Sequence, residues 1–177
     1  MVSQDAAERF LHASFLSDLD ATARRNLLQI LEEHHAASGE VLLRQGEPND
    51  RIHFLIEGSV AVSRVMSNGH QERLVDLHAP TSFGEISYFQ RKPQLVTVIA
   101  ATDLRYLVLE RQAHERLRQD DPRTSEQLAT AAIRVLAGHF DLIDQRIAEL
   151  VARQPDPQKE ATEWENFRAR LFGESKL

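Results

Sequence analysis

Histidine and serine side chains are the groups in this chain best suited to metal, acid–base or nucleophilic chemistry, and their spacing supports none of these. Among the eight histidines, His34 and His35 are neighbours that would point about a hundred degrees apart on a helix. His12, His53, His70, His78, His114 and His139 lack the i, i+4 pairing with a nearby acidic residue that sets two imidazoles and a base on one helix face. No serine lies in a nucleophile-elbow sequence, and no glycine loop of the nucleotide-cradling kinds occurs. The absence of cysteine excludes thiol chemistry, thiolate metal sites and a disulfide framework. The residues therefore predict a protein that is not an enzyme and holds no metal or cofactor.

The whole chain, 177 residues and 20.1 kDa, has room for one domain and an appendage, because a domain takes about 100–150 residues. Hydrophobic residues at 42% and charged residues at 27% describe a chain that buries a core. A formal charge of −6 argues against a surface built to neutralise phosphates, so direct DNA binding is not expected. No basic start leads into an apolar stretch, and nowhere do about 18 apolar residues run together. The expected setting is the cytoplasm, with no membrane span.

Residues 18–35 read as a helix, since Leu19, Ala23, Leu27, Leu28, Ile30 and Leu31 recur at three and four residues behind Ser17 and the acidic Asp18 and Asp20. The period then changes. Short runs rich in Val, Ile and Leu predict strands at 41–44, 52–56, 60–64, 72–77, 96–100 and 104–109. Turn residues separate them, and Asn68-Gly69 is a hairpin signal. Helical spacing returns at 112–119 and 124–153, with Pro122 suited to a first turn. On the long helix Ile133, Leu136, Phe140, Ile143, Ile147 and Leu150 form a heptad seam that predicts a homodimer. Beside it, Leu128, Ala132, Val135, His139 and Leu142 form a second stripe placed to rest on the chain's own strands. The expected organisation is a strand-rich domain over residues 1–120, a dimerisation helix over 121–153 and a charged tail over 154–177. In the tail Trp164, Phe167, Leu171 and Phe172 recur at helical spacing, to fold back on the body or meet another chain.

One segment carries a resemblance. Phe83-Gly84-Glu85-Ile86-Ser87-Tyr88-Phe89-Gln90-Arg91-Lys92-Pro93-Gln94-Leu95-Val96-Thr97-Val98-Ile99-Ala100, with Gly39-Glu40, Gln45-Gly46-Glu47, Asp50, Phe54, Ile56, Gly58 and Val60, resembles the phosphate-binding cassette and turns of the cyclic nucleotide-binding domain family. The resemblance spans residues 11–117. It implies an α+β fold that is mainly β with flanking helices: an eight-stranded β-roll, a double-stranded β-helix of jelly-roll type, between an N-terminal helix and a long C-terminal one. It also implies cAMP or cGMP as ligand, in a pocket of Phe83, Gly84, Glu85, Ile86, Ser87, Gln94, Leu95 and Thr97. Gly84 with Ile86 and Ser87 would offer backbone N–H groups to the phosphate, and Glu85 would accept from the ribose hydroxyl.

The resemblance is incomplete where the phosphate's charge partner should stand. The family's Arg aligns with Gln94, the following small residue with Leu95, and the small Ala after it with Val96. Losing a charge-assisted contact worth roughly 1.5–3 kcal/mol, together with desolvation, should weaken binding about a hundredfold or more. Arg91 or Lys92 would be the substitutes for the missing Arg. Pro80, Thr81 and Ser82 also replace the usual run ahead of Phe83. Family members that regulate transcription append a helix-turn-helix, for which the roughly 24 residues after Arg153 are too few. Three functions remain: a non-catalytic regulatory or sensor module signalling through a protein partner with weak or absent cyclic nucleotide binding, a true receptor using a substitute basic residue, or a ligand-free scaffolding subunit.

Overall fold

The structure, a computed structural model, describes residues 2–152. It opens with helix α1 (Gln4–Leu11), a 3-10 turn (Ser14–Leu16) and α2 (Ala21–Leu28). Strands β1 (Glu32–Ala36), β2 (Val41–Leu43), β3 (Arg51–Glu57), β4 (Ser59–Val65), β5 (Gln71–His78) and β6 (Thr81–Phe83) lead into α3 (Glu85–Gln90). Then follow β7 (Thr97–Ala100), β8 (Leu104–Glu110), α4 (Arg111–Asp120) and α5 (Pro122–Ala152). Two compact units divide the chain, Met1–His139 and Phe140–Leu177.

The expected closed roll is not formed. The described strands make two four-stranded antiparallel sheets, β1-β8-β3-β6 and β2-β7-β4-β5, and neither closes on itself. The end strands explain this. β6 pairs with β3 over only three residues before Gly84 turns the chain into α3, and the β2–β7 ladder shifts register between Val41 and Leu43. A second correction concerns the helix expected over 18–35. Asp20 caps α2 by accepting from the N–H groups of Thr22 and Ala23, and the helix ends at Leu28. Residues 32–36 are instead drawn into β1 by pairing with β8, Glu32 opposite Val108 through Ala36 opposite Leu104. As the last of the described strands in its sheet β1 has one edge unpaired among the described residues, which suits its polar Glu-Glu-His-His sequence and hides it from a hydrophobic pattern.

β3 and β8 hold the two cores apart. Ile52, Phe54 and Ile56, with Leu107 and Leu109, face Phe10, Phe15, Leu16, Leu27 and Leu128 of the helices. Alternate residues Leu55, Tyr106 and Val108 face Val60, Val62, Leu77 and Val98 of the other sheet. Strands buried on both faces read as unbroken apolar runs, which is why these two were plain in sequence. Phe15 stacks on Phe54 at 5.7 Å, and Phe10 meets that ring edge-on at 5.5 Å. Between β3 and β4, Gly58 has φ 93, and a Cβ there would lie 2.5 Å from the Asp103 carbonyl oxygen, so only glycine fits.

Within the first unit α5 is clamped to the helical core. Leu128, Ala131 and Ala132 are buried, and the Arg134 guanidinium grips both Asp18 oxygens at 2.7 Å. The second stripe is packed as far as His139, whose Nε2 lies 3.2 Å from Thr81 Oγ1; Leu142, in the second unit, is 40% exposed. On the seam Ile133 is 68% exposed, Phe140 is also exposed, and Leu136, Ile143 and Ile147 are half-buried. The side chain of Leu150 and the tail residues Trp164, Phe167, Leu171 and Phe172 lie outside the described residues.

Candidate functional site

The site begins where β6 stops. Gly84 takes φ 89, a left-handed conformation that turns the chain from strand to helix. A Cβ there would stand 3.1 Å from Asn49 Nδ2, 3.2 Å from the Arg51 carbonyl oxygen and 3.3 Å from His53 Nδ1. Asn49 fastens the turn: its Nδ2 donates to the carbonyls of Arg51 at 2.7 Å and Gly84 at 3.0 Å, while its Oδ1 accepts from Arg51 N at 3.1 Å. Ser87 Oγ donates to the Gly84 carbonyl at 3.2 Å. The segment after α3 is latched to the preceding loop as well. Gly46 N donates to the Gln94 carbonyl and Gln94 N to the Glu47 carbonyl, both at 2.8 Å, and Gln45 N donates to Thr97 Oγ1 at 3.1 Å.

Glu85 is the first residue of α3 and is 2% exposed. Ser82 Oγ donates to its Oε1. Burial pushes the Glu85 carboxyl up to about 7, against the opposing pull of the Ser82 hydrogen bond and a backbone hydrogen bond. The carboxyl is thus turned inward, in surroundings that favour its protonated form. Beside it the His53 ring stacks on Phe83 at 4.8 Å. Burial, and then the positive charge of Arg51, pulls this imidazole down to about 3, so it stays neutral, with Nδ1 unpaired among the described residues.

Gln94 and Leu95, adjacent in sequence, part company in space. Gln94 is 6% exposed, and its Nε2 has no hydrogen-bond partner among the described residues, whereas Leu95 is 48% exposed. Val96 is half-buried against the core between the sheets. Arg91 closes α3 at φ 54, and its guanidinium lies 3.9 Å from Glu115 of α4. Lys92 and Ile86 are exposed. The structure therefore ties Gly84 and Ser87 to Asn49, Glu85 to Ser82 and Phe83 to His53, and places Arg91 at the other end of α3. Asn49 and Ser82 were missed in sequence. Nothing local in sequence marks that Asn49 has a partner 35 residues away.

The profile described as the cyclic nucleotide-binding domain matches residues 33–121. The chain belongs to that family. Cyclic nucleotide-binding domains are non-catalytic regulatory modules, and this chain is one. It is 27% identical over 144 residues to a CRP-like cAMP-activated global transcriptional regulator of Mycobacterium tuberculosis, covering 81% of this chain and 62% of that protein. A cyclic nucleotide-binding domain from Methylobacillus flagellatus superposes with a TM-score of 0.75 at 20% identity, covering 81% of this chain and 83% of that one. The regulatory subunit of a cAMP-independent protein kinase A from Trypanosoma brucei superposes at 0.62, with 20% identity over 90% of this chain and 51% of that one. A variant of the trypanosomal protein with Glu-to-Ala, Thr-to-Arg and Val-to-Ala substitutions has cAMP bound. The chain spans less than two thirds of the mycobacterial regulator. Among the described residues no helix is long and apolar enough to cross a membrane.

Proposed function

We propose that this chain is a regulatory module of the cyclic nucleotide-binding domain family that binds cAMP and cGMP weakly or not at all and signals through a protein contact. Gln94 carries the reading. At the position where the family resemblance implies a phosphate-pairing Arg, a neutral amide is buried with its Nε2 unpaired among the described residues. Glu85, the implied ribose partner, is held inward by Ser82. A cyclic phosphate entering here would lose its hydration without gaining a cation, and Arg91 is paired at the far end of α3.

Calorimetry with cAMP is expected to give a dissociation constant above about 10 μM, and submicromolar binding would refute the proposal. The triple variant Gln94→Arg, Leu95→Ser, Val96→Ala is expected to gain cAMP affinity, as the variant of the trypanosomal protein carrying a new Arg has cAMP bound. We also propose that the module works in the cytoplasm, without touching DNA directly, as a homodimer along α5. The exposed Ile133 and half-buried Leu136 and Ile143 support the dimer. Light scattering should return about twice 20.1 kDa.

A further inference from the structure

A groove of about 290 Å³ opens where the end of α3 meets α4 and the first turns of α5, lined by Tyr88, Phe89, Arg91, Arg111, His114, Glu115, Arg118, Ser125 and Ala129. Neither Gly84 nor Glu85 lines it. Its floor is aromatic. Phe89, 44% exposed, stands edge-on to Tyr88 at 5.2 Å and to His114 at 6.4 Å. Its rim is basic, with three arginines against one glutamate in a chain whose net charge is −6.

The arginines are not equally committed. Arg111 is fixed: its Nε donates to Asp50 at 2.6 Å, another of its nitrogens donates to the Tyr88 carbonyl at 2.9 Å, and its guanidinium lies 4.1 Å over the Tyr88 ring. Arg91 is drawn to Glu115 at 3.9 Å. Arg118 has no ion-pair partner among the described residues. The floor adds a donor by proton arithmetic. Tyr88 OH lies 2.7 Å from His114 Nδ1, and His114 Nε2 lies 3.1 Å from Ser125 Oγ. Burial keeps this imidazole neutral by pulling its pKa down, so it carries one N–H. Two hydrogen bonds link three groups that hold three protons. If Tyr88 donates to Nδ1, then Nε2–H donates to Ser125 and the serine proton is spare; in the other tautomer the tyrosine proton is spare. Either way one hydroxyl proton is left over by these two hydrogen bonds.

We propose that this groove binds a small ligand in which one aromatic ring carries one anionic group, a carboxylate or a phosphate. The ring packs against the exposed Phe89, and the anion accepts from Arg118 and from the spare hydroxyl. A volume of about 290 Å³ is at the low end of the ~300–1,000 Å³ of small-molecule sites, which suits a single-ring ligand.

The test is a titration of the full chain, followed by backbone amide NMR, with four probes: benzoate, phenyl phosphate, inorganic phosphate and neutral benzamide. Benzoate and phenyl phosphate are expected to shift the amides of Phe89, Arg118 and Ser125, at affinities at least about tenfold above the other two probes, in line with one charge-assisted contact. Arg118→Ala should weaken benzoate binding by about tenfold or more, and Arg118→Lys should restore most of it. Ala129→Phe keeps every charge and fills the groove, and should abolish binding in a protein that still melts cooperatively. No shift with any probe at millimolar concentration overturns the proposal. So does benzoate binding that survives Arg118→Ala or Ala129→Phe, or inorganic phosphate or benzamide binding as tightly as the aromatic anions.

Discussion

At the N-terminal end of α3 the polar side chains Asn49, Ser82 and Glu85 are buried and bonded to one another or to backbone; at the C-terminal end Arg91, Glu115 and Arg118 stand in solvent around an open groove. The same short helix thus joins a closed polar cluster to an exposed one. Buried polar groups answer to burial and hydrogen-bond satisfaction, and their loss is felt as stability. The exposed ones cost little to remove and are available to a ligand. If this difference governs the molecule, substitutions at the two ends should differ several-fold in their cost.

The largest effect is expected from Asn49→Ala. It strips donors from the Arg51 and Gly84 carbonyls and an acceptor from Arg51 N in one step. At about 1–3 kcal/mol for each buried group left unpaired, with partial rescue by water, the loss should be about 3 kcal/mol in chemical denaturation. A loss under about 1 kcal/mol would break the comparison at its buried end.

Glu85→Gln sharpens it through pH. The Glu85 carboxyl is raised by burial from 4.5 to about 7, so the native state holds its proton more tightly than the unfolded chain. Its contribution is fully present below pH 4.5 and is lost as pH rises to about 7. Glutamine keeps the acceptor for Ser82 and cannot ionise. The two proteins should therefore be of similar stability near pH 4.5, and the variant should be more stable above pH 7, by about 3 kcal/mol at about 1.4 kcal/mol per pH unit. His53 titrates alike in both and drops out of the difference. Equal stability curves would mean that Glu85 is hydrated. A gain that grows toward low pH would reverse the assigned cause.

Gln94→Leu should have a smaller effect of the opposite sign. Removing a buried amide nitrogen that has no partner among the described residues, at nearly constant volume, is expected to raise stability by about 1 kcal/mol. A loss of that size would show that the amide has a partner after all.

How much of this could be read from sequence follows burial closely. β3 and β8 were legible because they are apolar on both faces, and Asn68-Gly69 marked the hairpin, where Met66 N donates to the His70 carbonyl at 2.8 Å. β1 was not, because an edge unpaired among the described residues lets Glu32, His34 and His35 stand where a pattern expects apolar residues. β6 was too short, and whether the sheets close is set by end-strand pairing, which has no local signature. At the candidate site Gly84 and Glu85 were named by resemblance. Gln94 and Leu95 both depart from the family pattern in sequence, and only the structure shows that the first is buried and the second exposed. The Tyr88–His114–Ser125 chain joins three elements and could not be seen along one strand of sequence.

The smallest effect belongs to Arg91, and two substitutions there separate charge from backbone. The ion pair with Glu115 is 3.9 Å long, with side chains 71% and 50% exposed, and exposed pairs are worth about 0–1 kcal/mol before salt screens them. Arg91→Ala removes this pair and leaves the left-handed φ of 54 in place, so stability should move by less than about 0.5 kcal/mol. Arg91→Gly also removes the pair and relieves a conformation that costs a side-chain-bearing residue roughly 1–2 kcal/mol, partly offset by glycine's greater freedom when unfolded. It should therefore stabilise by up to about 1 kcal/mol. Denaturation of both variants at low and high salt decides between outcomes. If Arg91→Ala costs more than about 1.5 kcal/mol at high salt, where an exposed charge counts for little, the C-terminal end of α3 is as firmly latched as the N-terminal end, and the contrast between the two fails.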